Sequence, residues 1–173
     1  GASAISVLTE PSRFLGSLQH LKAVASAVDI PVMRKDFLID PIQVVEARAH
    51  GAGGVLIIVR MVDDATLDTM VEQAQELGMF VLLEAFDATD IARAERYGDT
   101  LIGLNCRDLQ SLAVEPQRFQ SLASAFGSAQ WRVAESGLNT AEDIRVVAGL
   151  GYNMVLVGTA LMQSDNPGTL LKD

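Results

Sequence analysis

Seven short apolar runs, rich in β-branched residues, recur along the chain at residues 4–8, 31–33, 55–59, 80–83, 101–104, 131–134 and 154–157. They are continuous rather than alternating, as expected for strands buried on both faces of a parallel sheet. Between them lie segments with apolar residues at three- and four-residue spacing. Leu67, Met70, Val71, Ala74 and Leu77 form one such helical stripe, and Ile144, Val147, Ala148 and Leu150 approximate another. Gly51, Gly78, Gly98 and Gly151 each stand shortly before the next run, where a left-handed glycine commonly ends a helix. Asp64, Thr89 and Thr140 are placed to cap helix N-termini.

Strand–helix alternation throughout predicts an α/β protein with a parallel sheet. An open dinucleotide-binding sheet would carry Gly-x-Gly-x-x-Gly at its first turn, and this chain has no such match. Five units fit between Lys35 and Gly158 at roughly 25 residues each, compact for a closed (β/α)8 barrel. The expectation is a TIM barrel lacking its first βα unit. Seven parallel strands, the second to the eighth, would form one domain over residues 1–173.

The 173 residues are 49% hydrophobic and 20% charged, as in a folded globular protein. A formal net charge of −9 argues against a nucleic-acid partner. It leaves room for a small anionic substrate, which backbone N–H groups and one lysine can hold. The one cysteine, Cys106, allows no intrachain disulfide or cysteine metal cluster, and His20 and His50 lie too far apart in sequence to suggest a metal site. The six methionines read as core fillers, and Trp131 as a structural residue at a strand start. No apolar run is long enough to span a membrane. The segment Gly1-Ala2-Ser3-Ala4 lacks the basic start of a signal peptide, so a cytoplasmic protein is expected.

Polar residues gather at the C-terminal ends of the runs: Lys35, Glu84, Asn105, Glu135-Ser136-Gly137 and Gly158-Thr159. In a parallel barrel those ends share one rim, where active sites are built. Glu84 and Glu135 directly follow apolar segments and Lys35 follows one after Arg34, and charges in such places need partners. A cation between two carboxylates suits acid–base chemistry. The small residues Ser136-Gly137 and Gly158-Thr159 fall after the seventh and eighth strands of the expected barrel, the usual phosphate grip of this architecture. Asp63-Asp64 reads as a helix N-terminus rather than a metal site. Cys106 reads as a packing residue, with no histidine nearby in sequence to activate it.

Several motifs occur together and in order: Ile5-Ser6-Val7-Leu8-Thr9-Glu10, Phe14-Leu15-Gly16-Ser17, Arg34-Lys35-Asp36-Phe37, Leu83-Glu84, Ile102-Gly103-Leu104-Asn105-Cys106-Arg107-Asp108-Leu109, Ala134-Glu135-Ser136-Gly137 and Val157-Gly158-Thr159-Ala160-Leu161-Met162. In this set the chain resembles the indole-3-glycerol phosphate synthase family of tryptophan biosynthesis, over nearly its whole length. The resemblance implies a carboxy-lyase that closes the indole ring of 1-(2-carboxyphenylamino)-1-deoxyribulose 5-phosphate, losing CO2 and water. It implies Lys35 as general acid, Glu84 as an acid/base group, and Asn105 and Glu135 as groups orienting the substrate. It further implies Phe37, Arg107 and Ser136 as substrate contacts, with Phe37 packing on the aromatic ring. Ser136, Gly137, Gly158 and Thr159 are the implied phosphate site. No metal and no organic cofactor is implied.

The sequence departs from the family pattern in places. Thr159 stands where Ser or Glu is frequent, Cys106 where Asn or Ser is common, and Ala85-Phe86 where a Val- or Ile-containing pair is usual. The family's first strand, with a Glu and a second catalytic Lys, is not among these residues, so low activity is expected of this chain alone. A non-catalytic phosphate-binding or oligomerising module is the alternative. Another phosphate-binding barrel enzyme, such as phosphoribosylanthranilate isomerase or the tryptophan synthase α subunit, is disfavoured by the Arg-Lys-Asp-Phe, Asn-Cys-Arg-Asp-Leu and Glu-Ser-Gly set. Exposed edges on the first and last runs predict a homo-oligomer, most simply a two-fold dimer, with direct pairing of those two strands as the other outcome.

Overall fold

The computed structural model describes residues 1–127, 129 and 131–170. Seven strands form a parallel sheet in sequence order: β1 (Ile5–Leu8), β2 (Val32–Lys35), β3 (Gly54–Ile58), β4 (Phe80–Ala85), β5 (Leu101–Asn105), β6 (Arg132–Glu135) and β7 (Met154–Leu156). Helices separate them: α1 (Leu18–Ala25), α2 (Ile42–Ala49), α3 (Asp64–Glu76), α4 (Ala88–Ala94), α5 (Gln117–Leu122) and α6 (Ala141–Gly149), with α7 (Thr159–Gln163) and α8 (Pro167–Leu170) closing the chain. This is the expected alternation. The chain divides into two compact units, Ala2–Leu83 and Glu84–Asp173 together with Gly1.

In the unit Ala2–Leu83, β1 pairs with β2 from Ile5↔Val32 to Leu8↔Lys35, and β2 pairs with β3 at Met33↔Gly54 and Arg34↔Val55. Every residue of β3 is buried, which explains its unbroken apolar sequence. Gly54 is required there, because a Cβ would fall within the Phe80 ring. The α3 stripe buries Leu67, Met70, Val71 and Ala74, each large member contributing about 1.5–3 kcal/mol.

In the unit from Glu84 onward, β5 pairs with β6 from Ile102↔Arg132 to Asn105↔Glu135, and β6 with β7 from Val133↔Met154 to Glu135↔Leu156. Phe119 and Phe126 both meet Tyr152 edge-on, with centroids 5.4 and 5.5 Å away. The Tyr152 hydroxyl donates to the Phe119 carbonyl at 3.2 Å, which satisfies its polar end inside the core. The first and last strands are less covered than the central ones, with Leu8 on β1 and Val155 on β7 exposed.

Several boundaries differ from the sequence reading. Lys35, Glu84, Asn105 and Glu135 belong to their strands rather than following them. Their backbones continue the ladder, as when the Lys35 carbonyl accepts Thr9 N–H and the Glu135 carbonyl accepts Cys106 N–H. The caps of α3 and α4 are Asp63 and Asp87, not Asp64 and Thr89. Each carboxylate accepts the N–H three residues on, Thr66 at 2.8 Å and Asp90 at 2.9 Å. Thr140 caps α6 as expected, in a reciprocal capping box with Asp143. Gly51, Gly78 and Gly151 have positive φ, but Gly98 does not. The α4 helix has already closed through Glu95, Arg96 and Tyr97 N–H bonds before the chain reaches Gly98. Met33, Met70 and Met79 are buried, whereas Met61 and Met162 are exposed. Trp131 precedes β6 and is likewise exposed.

Candidate active site

The end of β2 is built on an alternation of charge. Arg34 and Asp36 lie two residues apart and share a face, while Lys35 between them points to the other. Arg34 is buried and donates hydrogen bonds from all three of its guanidinium nitrogens. Its Nε donates to Thr9 Oγ1 at 3.2 Å, Nη1 to the Gln43 carbonyl at 2.9 Å and Glu46 Oε2 at 2.8 Å, and Nη2 to Asp36 Oδ2 at 3.0 Å. Asp36 also accepts the Thr9 hydroxyl at 2.6 Å and the Phe37 N–H at 2.8 Å. Two carboxylates balance Arg34, so it is a scaffold cation that holds Lys35 and Phe37 at the strand end. Lys35 is half-buried.

Phe37 meets a second ring. Phe14, on the segment joining β1 to α1, lies 6.2 Å from it at a 42° tilt. A cleft of about 500 Å³ beside Phe37 is lined by Thr9, Glu10, Ser17, Arg34, Asp36 and Phe37. The sequence reading assigned no role to Phe14, Arg34 or Asp36. The Arg-x-Asp spacing on a strand was the signal available for the ion pair. Nothing local in sequence marks the Phe14–Phe37 contact.

In the second unit, Glu84, Asn105 and Glu135 stand at the ends of β4, β5 and β6, with only 1%, 6% and 1% of their surface exposed. Asn105 Oδ1 accepts the Arg107 N–H at 2.9 Å, which fixes the amide orientation. Its Nδ2 therefore donates to Glu84 Oε1, at 3.1 Å. Asn105 and Glu135 are direct register partners. These three predicted site residues are thus brought together on neighbouring strands.

Arg107 begins a loop that folds back on itself. It bridges Val114 in antiparallel fashion, and its Nη1 donates to the Leu112 carbonyl at 3.1 Å. The Asp108 carboxylate accepts from Gln110 and Ser111 within the same loop, which lowers its pKa, chiefly through the Ser111 N–H. Beneath the loop sits the turn after β6. Ser136 and Gly137 are consecutive residues with positive φ, +68° and +81°. A Cβ on Gly137 would come within 2.8 Å of Val114 and 3.0 Å of Pro116, so the loop rests directly on this turn. Gly158 caps α7, and a Cβ there would meet nothing within 4 Å. Gly158 and Thr159 are both exposed. Cys106 is buried, and desolvation pushes its thiol up to about 12, so it is no nucleophile.

Among the described residues, no cluster of His, Cys, Asp and Glu could hold a metal ion, and no helix is long and apolar enough to cross a membrane.

The family model for indole-3-glycerol phosphate synthase matches residues 1–173. Proteins called indole-3-glycerol phosphate synthase from Parafrankia sp. (strain EAN1pec), Micrococcus luteus and Mycolicibacterium smegmatis are 46%, 45% and 44% identical to the chain, over 100%, 99% and 100% of its length. The chain spans 65%, 64% and 64% of those relatives. Among solved structures, phosphoribosyl anthranilate isomerase from Thermotoga maritima is similar with a TM-score of 0.73 at 13% identity, covering 99% of this chain and 87% of that one. N-acetylmannosamine-6-phosphate 2-epimerase from Clostridium perfringens is similar with a TM-score of 0.69 at 14% identity, covering 92% and 73%. At such identities the likeness speaks for the fold alone.

Proposed function

The chain belongs to the indole-3-glycerol phosphate synthase family, and on that premise we propose that it carries acid–base and phosphate-binding residues of a carboxy-lyase that forms the indole ring. The substrate is 1-(2-carboxyphenylamino)-1-deoxyribulose 5-phosphate. Ring closure joins an aromatic carbon to the sugar C2 and expels the carboxylate as CO2 and the C2 oxygen as water. The observation that carries this reading is the buried Glu84–Asn105 bond beside Glu135 at three adjacent strand ends. A carboxylate kept out of water and aimed by an oriented amide is suited to moving a proton.

Lys35 serves as the general acid for the departing oxygen. Glu84 acts as an acid/base group in the proton transfers, and Asn105 and Glu135 orient the substrate. Phe37 packs on the aromatic ring, with Phe14 as its neighbour. Arg107 and Ser136 complete the substrate contacts. The phosphate sits on the N–H groups of Ser136, Gly137, Gly158 and Thr159. The empty space at Gly158 and the paired positive φ of Ser136 and Gly137 support this placement. A cytoplasmic enzyme fits the reading, and so does a two-fold homo-oligomer that covers the exposed strands β1 and β7.

Turnover of the arylamino-deoxyribulose phosphate by the full-length protein tests the proposal. The expected products are CO2 and indole-3-glycerol phosphate. Lys35→Ala and Glu84→Gln should each lower kcat by about 10²–10⁴-fold. Unchanged kcat in both variants overturns the assignment. Phosphate binding without any turnover by the full-length protein favours the non-catalytic module. Light scattering on the 173-residue chain checks the oligomer, and a monodisperse monomer of 18.5 kDa refutes it.

A further inference from the structure

The segment from Glu10 to Gly16 carries no role in the reaction as described, yet it is tightly built. Its two ends meet where Gly16 N–H donates to the Glu10 carbonyl at 2.9 Å. Gly16 lies so close to Leu8 that a Cβ would overlap the Leu8 carbonyl. Leu15 is held at φ +54° with 82% of its surface exposed, so burial does not hold this segment in place. The Glu10 side chain does. Oε1 accepts the Ser12 N–H at 2.8 Å and the Ser12 hydroxyl, while Oε2 accepts the N–H groups of Arg13 at 2.7 Å and Phe14 at 3.2 Å.

Phe14 therefore stands 46% exposed, with its backbone tied to Glu10 and its ring against Phe37. Phe37 is tied in the same manner, by the Asp36 carboxylate on its own N–H. Each aromatic ring is anchored by a carboxylate at its backbone. We propose that Glu10 is a positioning residue, which fixes Phe14 beside Phe37 so that the two rings form a preorganised apolar wall for the aromatic ring of the substrate. The proposal rests on the reading of the substrate given above. Ordering this segment only on binding would subtract conformational entropy from the affinity. Glu10 meets that cost in the free protein. Its carboxyl, held down to about 2 chiefly by the Ser12 hydroxyl bond, remains an acceptor throughout the pH range in which enzymes work.

The test uses the full-length protein and the variants Glu10→Ala, Glu10→Gln, Phe14→Ala and Glu10→Ala/Phe14→Ala. Two probes are titrated: reduced 1-(o-carboxyphenylamino)-1-deoxyribulose 5-phosphate, which carries the ring, and ribose 5-phosphate, which does not. Glu10→Ala should weaken the aryl probe about three- to tenfold and leave ribose 5-phosphate within about twofold. Glu10→Gln, with one acceptor oxygen left, should fall between. Glu10→Ala should add no further loss once Phe14 is alanine. With true substrate, KM should rise while kcat holds within about twofold. Trypsin should cut after the exposed Arg13 faster in Glu10→Ala than in wild type. Unchanged cleavage together with unchanged aryl affinity overturns the proposal, as does an equal loss for both probes. If wild type gains affinity from the aryl group and Glu10→Ala matches it, the proposal alone fails. If wild type gains nothing from the aryl group, the substrate reading fails and takes the proposal with it.

Discussion

Asn105 donates its Nδ2 to Glu84 Oε1 at 3.1 Å, and the Arg107 N–H on its Oδ1 leaves the amide no alternative orientation. The backbone of the loop after β5 thereby sets the hydrogen bonding of a carboxylate on β4.

Asn105→Asp replaces that donor with an acceptor, so Glu84 Oε1 loses the bond it receives at 3.1 Å. Losing a hydrogen bond between buried groups costs about 1–3 kcal/mol. Denaturant melts of the full-length protein should record that loss, and kcat should fall with it. Unchanged stability and unchanged kcat would show that the Asn105–Glu84 bond supports neither the fold nor the reaction.

Gly137→Ala should destabilise the protein by about 1–2 kcal/mol from the left-handed backbone alone. The new methyl would also press on Val114, 2.8 Å away, and lift the loop that bears Arg107. Denaturant melts should record the stability loss, and phosphate affinity should fall with it. Gly158→Ala is the contrast, since its Cβ enters open space. There stability should hold, and any loss of phosphate affinity reports on the site itself.

Cys106 should be inert. With its thiol near 12, the thiolate population at pH 8 is about a thousandfold below that of a free cysteine. A thiol-specific chromogenic reagent should react slowly with the native protein and rapidly in denaturant. Fast native labelling would contradict the burial.

Glu10 should contribute stability that depends on pH in one direction. Its folded pKa, about 2, lies below its ordinary value of 4.5. Its contribution is therefore complete above about pH 4.5 and is lost as pH falls toward 2. The difference in unfolding free energy between wild type and Glu10→Gln should be constant above pH 5 and shrink on acidification, approaching zero near pH 2. A difference that grows as pH falls would reverse the sign and refute the assignment.

Continuous β-branched runs and the three- to four-residue stripes were enough to read the strand–helix alternation, because burial on both faces leaves no polar position in strands such as β3. The polar residues at strand ends were visible for the same reason, since Glu84, Asn105 and Glu135 each break an apolar run. Element boundaries were less legible. Asp63 and Asp64 are equivalent in composition, and which one caps α3 depends on which backbone turns extended, a choice made by the chain around it.

Contacts distant in sequence were not legible at all. Glu84 and Asn105 lie 21 residues apart, and Thr9 and Asp36 lie 27 apart. Phe14 reads as an ordinary loop residue until Glu10 folds its segment back and places it against Phe37. Periodicity is a property of neighbouring residues, so the local chain determines where strands and helices fall and which residues end them. Side-chain partnership depends on strand register and loop closure. Those are settled by packing across the sheet, where the free energy of a contact depends on residues that no local window contains.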